Sequence, residues 1–139
     1  MSLLRPSTLV SRRATPRGRL VLAAVLVTAA GLRLSRPDGV WADLAGGALY
    51  AVLIVLLLAL VRPATRTVTL SLVGLGLCTL VELAQLTGVP ATLVESVPAL
   101  RFVLGTTFWA PDLLAYTAGA ALGGLLIHTL RDTRRSSPT

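Results

Sequence analysis

Several residue types are scarce or absent in this chain of 139 residues, and each absence excludes a class of protein. Lysine does not occur, cysteine and histidine occur once each, and only 14% of residues are charged, against about a quarter in soluble domains. A single cysteine excludes an internal disulfide framework and a cysteine-based metal site. Aromatic residues make up 4% of the chain, too few for the stacking platforms of proteins that bind single-stranded nucleic acid. A soluble globular domain and a nucleic-acid-binding module are both disfavoured.

Apolar residues are abundant instead, at 54% of the chain, and they gather in long runs. Because a helix needs about 20 mostly apolar residues to cross a bilayer, these runs indicate transmembrane helices. We expect an all-α membrane protein that folds as a four-helix transmembrane bundle. The predicted spans are about 20–34, 40–61, 68–87 and 112–130.

These spans form one domain, 19–131, between two basic tails at 1–18 and 132–139. A long outer loop, 88–111, joins the third span to the fourth, and its many apolar residues predict that it lies at the outer interface or caps the bundle. The first span is short, so flanking arginines must snorkel or the bilayer must thin. A cleaved signal peptide is the alternative for this run.

The arginines are distributed unevenly between the two predicted sides of the membrane. Ten of the 13 fall on the side of the chain termini, and the other three are Arg33, Arg36 and Arg101. Because cytoplasmic loops carry the excess of basic residues, both termini are predicted to be cytoplasmic.

Three acidic residues lie within or at the ends of the predicted spans: Asp43, Glu82 and Asp112. A charge at mid-membrane costs about 2.5 to 3.5 kcal/mol, so such acids are candidates for function. The predicted orientation puts all three in the outer half of the membrane. Each also lies on a stripe of small residues that includes glycines such as Gly47 and Gly119, which let helices approach closely. We therefore expect the acids to converge.

Two interpretations of this convergence remain open. In the first, the acids pair with Arg36, Arg101 and Arg33 and only hold the bundle together. In the second, they form a polar pocket, open to the outer leaflet, that binds a zwitterionic or anionic headgroup. Its arginines would grip phosphate or carboxylate in bidentate fashion, while the acids orient them or meet an amine. The candidate ligand-binding residues are Arg36, Asp43, Glu82, Gln85, Arg101, Asp112 and Tyr116. A metal site formed by the three carboxyls is a third alternative, although their spacing is not diagnostic.

Several motifs resemble those of a known family. They are Arg-Pro at 36–37, Asp43, Tyr50, VELAQL around Glu82, and RFVLGTTFWAPDLLAYTAG from Arg101 to Gly119. Together they resemble the bacterial membrane family named domain of unknown function 2809, over about residues 20–128. The chain is more distantly similar to VanZ-like proteins, which also carry Glu-x-x-Gln at an outer helix end, a loop, an aspartate and a Gly-rich final helix. The resemblance implies a place in the bacterial cytoplasmic membrane and an association with the cell envelope, and it supplies no reaction.

The expected function is non-catalytic binding of an envelope lipid or a lipid-linked precursor. Membrane lipids are the expected partners, with a partner transmembrane helix as a further candidate, and we predict no nucleic acid, cofactor or metal. The main alternative is an accessory subunit of a membrane complex. A metal-assisted lipid-modifying enzyme is less favoured because no nucleophile has a base beside it. A transporter is disfavoured because the inner half of the predicted membrane region lacks polar residues.

Overall fold

The computed structural model describes residues 17–34 and 39–132, and this part of the chain consists of helices and turns without a strand. A 3₁₀ turn, Pro98–Leu100, separates two of the short helices. The helices are α1 (Arg17–Leu34), α2 (Val40–Val61), α3 (Thr67–Gln85), α4 (Val89–Ser96), α5 (Arg101–Leu104) and α6 (Asp112–Asp132). The prediction of an all-α chain is confirmed.

Three of these helices, α2, α3 and α6, are long and apolar enough to cross a membrane. They correspond to the predicted spans 40–61, 68–87 and 112–130, with shifts of at most two residues at their ends. The predicted first span belongs to α1, which begins three residues earlier than expected. This helix carries three arginines within 18 residues and is not among the three.

Local sequence explains where the central helices end. The apolar run of α2 stops at Arg62-Pro63, where proline has no N–H to continue the helix. Helix α3 starts only five residues after α2 ends, so the two helices run antiparallel. It ends before Gly88, whose φ of 75° is easily adopted only by glycine.

Helix α2 lies at the centre of the packing and contacts α1, α3 and α6, and α6 also packs on α3. The side chains of Leu20, Val55, Leu56 and Ile127 are fully buried where these helices meet. Arg131 at the end of α6 hydrogen-bonds the α2–α3 turn, so the two regions lie together.

The antiparallel arrangement separates charge along the helices. We call one end the basic end, defined by Arg17, Arg19, Arg62, Arg66 and Arg131. We call the other the acidic end, defined by Asp43, Glu82, Glu95 and Asp112 and joined there by Arg33 and Arg101.

Glycines allow the closest contacts between helices. A Cβ placed on Gly119 would collide with the backbone carbonyl of Ala48, and one on Gly123 would lie 3.0 Å from Cβ of Val55. In α3, a Cβ on Gly74 would lie 2.6 Å from Cγ2 of Val55. The prediction that these small residues form packing faces is confirmed. Gly119 is thus occupied by α2 of the same chain rather than left for a partner helix.

Candidate functional site

Glu82 is fully buried near the end of α3, and both of its carboxyl oxygens accept hydrogen bonds. The backbone N–H of Trp109 donates to Oε1 over 2.6 Å, and the Tyr116 hydroxyl donates to Oε2 over 3.0 Å. These donors come from the segment that precedes α6 and from α6 itself. The carboxyl group therefore ties α3 to the 105–111 segment and to the first turns of α6.

Two further side chains hold the segment between α3 and α6. Gln85 donates from Nε2 to the carbonyl of Leu104 over 2.8 Å, and the Tyr50 hydroxyl donates to the carbonyl of Val103 over 2.9 Å. Because Gln85 lies three residues after Glu82 on α3, the two side chains point from one helix face towards the same segment. The segment lies against the acidic end through these bonds to α2 and α3. Its predicted place at the outer membrane interface stays a prediction.

Asp112 lies beside Glu82 at the start of α6, where a carboxyl group interacts favourably with the positive end of the helix dipole. Its Oδ1 would be 3.3 Å from a Cβ on Gly47, and the Tyr116 ring comes equally close to that glycine. The absence of a side chain at position 47 lets α6 approach α2 here. The rings of Tyr50 and Tyr116 lie 6.3 Å apart between centroids, tilted by 58°.

Two acceptor atoms at this site have no hydrogen-bond partner within the described residues. They are Oδ1 of Asp112 and Oε1 of Gln85, and both are shielded from solvent. An unsatisfied buried acceptor costs about 1 to 3 kcal/mol, more when it belongs to a charged group. The acidic end therefore has unused capacity to accept hydrogen bonds beside Glu82.

The electrostatics of the site are one-sided. Asp112 interacts with Glu82 and with Asp43, which are both acids. Asp43 is exposed, one helical turn before Gly47 on α2. Carboxyls that share a region of low dielectric constant repel one another, so a positively charged or proton-donating group would be stabilised there.

The arginines proposed as anion contacts stand apart from these acids. Arg101 is exposed at the start of α5 and, in the part of the chain that the structure describes, pairs with neither Glu82 nor Asp112. Arg36 lies outside the described residues. Glu82, Gln85, Asp112 and Tyr116 are thus brought together, Asp43 lies at their edge, and Arg101 is separate.

The metal alternative requires several ligands around one point. Residues 17–34 and 39–132 contain no group of three or more His, Cys, Asp or Glu side chains that could hold a metal ion. Asp43, Glu82 and Asp112 share one end of the molecule but no coordination sphere.

Sequence reasoning missed three parts of this site. Tyr50 was placed on a packing stripe, but its hydroxyl within the apolar run of α2 was a usable signal for a hydrogen bond. Gly105 has a φ of 60°, and a Cβ there would lie 2.6 Å from Nε2 of Gln85. The third part is the Trp109 N–H, a backbone donor that has no sequence signal.

Comparison with known proteins identifies the family of the chain. A family model described as a protein of unknown function, DUF2809, matches residues 36–120. No curated protein and no solved structure matches the chain. The matched region covers more than half of the sequence and contains α2, α3 and the whole hydrogen-bonded cluster around Glu82. The chain belongs to the DUF2809 family.

Proposed function

We propose that this protein is a four-span protein of the bacterial cytoplasmic membrane that binds an envelope lipid or lipid-linked precursor at its acidic end. Helix α1 is the fourth span in this proposal, with its terminal arginines snorkelling to the two interfaces. Both termini are cytoplasmic, because the basic end carries most of the arginines and therefore faces the cytoplasm. The acidic end then faces the outer leaflet.

The observation that carries the lipid-binding proposal is the pair of unpartnered acceptors, Asp112 Oδ1 and Gln85 Oε1, beside buried Glu82. These acceptors and the neighbouring acid Asp43 favour a ligand group that donates hydrogen bonds and carries positive charge. The ammonium group of a headgroup has both properties. A zwitterionic headgroup would in addition place its phosphate near exposed Arg101, which can contact it in bidentate fashion.

A second candidate is a purely structural cluster, either within this chain alone or within an accessory subunit. The observation in its favour is that both oxygens of Glu82 already have partners and tie three parts of the chain together. In this case Asp112 contributes nothing beyond the start of α6, and no lipid is preferred.

The test compares the lipids that remain bound to gently purified wild-type protein and to Asp112→Asn, by mass spectrometry. This variant preserves the size of the side chain and replaces an acceptor oxygen with a donor, so it opposes a cationic headgroup. The matched control is Glu95→Gln, which removes an exposed acid at the same end, outside the cluster.

We expect wild-type protein and Glu95→Gln to carry one lipid class above its membrane abundance, and Asp112→Asn to lose that enrichment. An unaltered melting temperature in Asp112→Asn shows that the loss is not unfolding. If the wild type carries lipids in their bulk proportions, or if Asp112→Asn retains the enrichment, the structural candidate replaces the lipid site.

A further inference from the structure

A cavity of about 520 Å³ lies at the basic end, in the turn that joins α2 to α3. This is the opposite end of the molecule from the Glu82 cluster. The residues around it include Val61, Arg62, Pro63, Thr65, Arg66 and Thr69. The cavity thus combines two guanidinium groups, two hydroxyl groups and an apolar side.

We propose that this cavity binds the phosphate group of an anionic lipid in the leaflet at the basic end. Arg62 and Arg66 are exposed, and within residues 17–34 and 39–132 neither forms an ion pair with an acid. The acid nearest in the sequence to the end of α6, Asp132, is engaged by His128 over 3.2 Å. The two guanidinium groups therefore face the cavity without a competing carboxylate from the described chain, and phosphate is the anion that their forked geometry fits.

The turn around the cavity is held in shape by Arg131 from α6. This side chain donates to the carbonyls of Pro63 and Thr65, each over 3.0 Å, and to the hydroxyl of Thr67 over 3.1 Å. A site whose backbone is already fixed loses less conformational freedom when a ligand binds. Arg131 is thus a positioning residue, and Arg62 and Arg66 are the contact residues.

The start of α3 adds to the attraction. Arg66 is its N-cap residue, and no side chain caps the first turn. The first amides of a helix have no acceptor inside the helix and carry partial positive charge. They point towards the side of the turn on which Thr69 lines the cavity.

The apolar side of the cavity favours a lipid over a soluble phosphate. Val61 is 72% exposed and Val68 is 69% exposed, on either side of the turn. In a membrane, exposed valines at the end of a span contact the acyl chains and glycerol backbone of the leaflet. A lipid phosphate is presented at that depth, next to Arg62 and Arg66.

The experiment measures retention of added phosphatidylglycerol on the purified full chain by native mass spectrometry, with phosphatidylcholine as the zwitterionic comparison. The test variant is Arg62→Gln/Arg66→Gln. The matched control is Arg33→Gln/Arg101→Gln, which removes the same charge from two exposed positions at the acidic end. We expect the apparent Kd for phosphatidylglycerol to rise at least about tenfold in the test variant and to stay unchanged in the control.

Further arms make each result decisive. Arg62→Lys/Arg66→Lys keeps the charge and is expected to retain most of the binding, which separates loss of the site from loss of the fold. Equal weakening in the test variant and the control overturns the proposal, because net charge alone then explains binding. Equal retention of phosphatidylglycerol and phosphatidylcholine overturns it as well. Inorganic phosphate, titrated without lipid, is expected to leave the melting temperature unchanged, and saturable stabilisation by it with no preference for phosphatidylglycerol would assign the cavity to a soluble phosphate instead.

Discussion

Glu82 is the fully buried acid of the described residues, and its surroundings explain why it is tolerated there. Removing an acid from water is costly unless hydrogen bonds compensate. The Trp109 N–H and the Tyr116 hydroxyl supply two such bonds from elements distant in the sequence. The same bonds position the 105–111 segment, so one residue links the stability of α3 to the shape of the acidic end.

We expect Glu82→Ala to lower the free energy of unfolding by about 2 to 5 kcal/mol, because two buried donors lose their acceptor. The measurement is thermal or denaturant unfolding in one detergent, monitored by circular dichroism. The control is Glu95→Ala, an exposed acid on α4, for which the change is expected to stay within about 0.5 kcal/mol. Equal stability of both variants would show that the two hydrogen bonds contribute nothing measurable.

Gly105 provides a second test at this scale, because it combines a positive φ with a crowded position. A Cβ at 105 would meet Nε2 of Gln85, whereas Gly88, with a φ of 75°, has nothing within 4 Å of its Cβ position. Gly88→Ala therefore carries only the backbone strain, of about 1 to 2 kcal/mol. We expect Gly105→Ala to be less stable than Gly88→Ala by a further 1 kcal/mol or about that, from comparison of their melting temperatures. Equal losses would mean that Gln85 moves aside freely.

At the scale of elements, the contact between α2 and α6 depends on glycine. The site needs this closeness, since Gly47 of α2 lies against Asp112 and Tyr116 of α6. Without a hydrophobic driving force in lipid, such helices associate by close van der Waals packing, which small residues permit. The packing of α2 on α6 therefore fixes the distances within the candidate site.

We expect Gly119→Ala to destabilise the protein by about 1 to 3 kcal/mol or more, because its Cβ would collide with the backbone carbonyl of Ala48 and backbone cannot move aside cheaply. The control is Gly76→Ala in α3, where a Cβ meets nothing within 4 Å. There, alanine is expected to be neutral or slightly stabilising because it favours helix. Melting temperatures in one detergent check both, and a Gly119→Ala protein as stable as Gly76→Ala would contradict the observed contact.

At the scale of the whole molecule, the separation of basic and acidic ends makes the orientation testable. The single cysteine, Cys78, is buried, so a Cys78→Ser background offers sites for selective labelling. In this background Ala64→Cys lies in the exposed α2–α3 turn and Ser96→Cys lies exposed in α4. A membrane-impermeant maleimide on intact bacterial cells is expected to label Ser96→Cys and not Ala64→Cys.

Permeabilised cells serve as the control for this experiment, and both positions are expected to react there. The reverse pattern in intact cells would place the acidic end in the cytoplasm and would contradict the proposed outer-leaflet site. Labelling of both positions in intact cells would contradict the span between them.

Hydropathy placed α2, α3 and α6 within two residues of their observed ends, because long apolar runs and the Arg62-Pro63 boundary are local signals. The expectation that acids on glycine stripes converge was met for Glu82 and Asp112, since helical periodicity fixes which residues share a face. The short helices α4 and α5 were not predicted, because their formation depends on contacts with the long helices and not on hydropathy.

The sequence by itself determined that the chain is helical, that three runs are long enough to cross a bilayer, and that its charges separate into a basic and an acidic end. These properties depend on residues close together in the chain. Only the tertiary structure decided that Glu82 takes its partners from a backbone amide and a tyrosine rather than from arginine, and that the acceptors of Asp112 and Gln85 lie beside it without partners. The physical reason is that these contacts join residues 27 and 34 positions apart, and that a backbone donor is the same at every residue but proline.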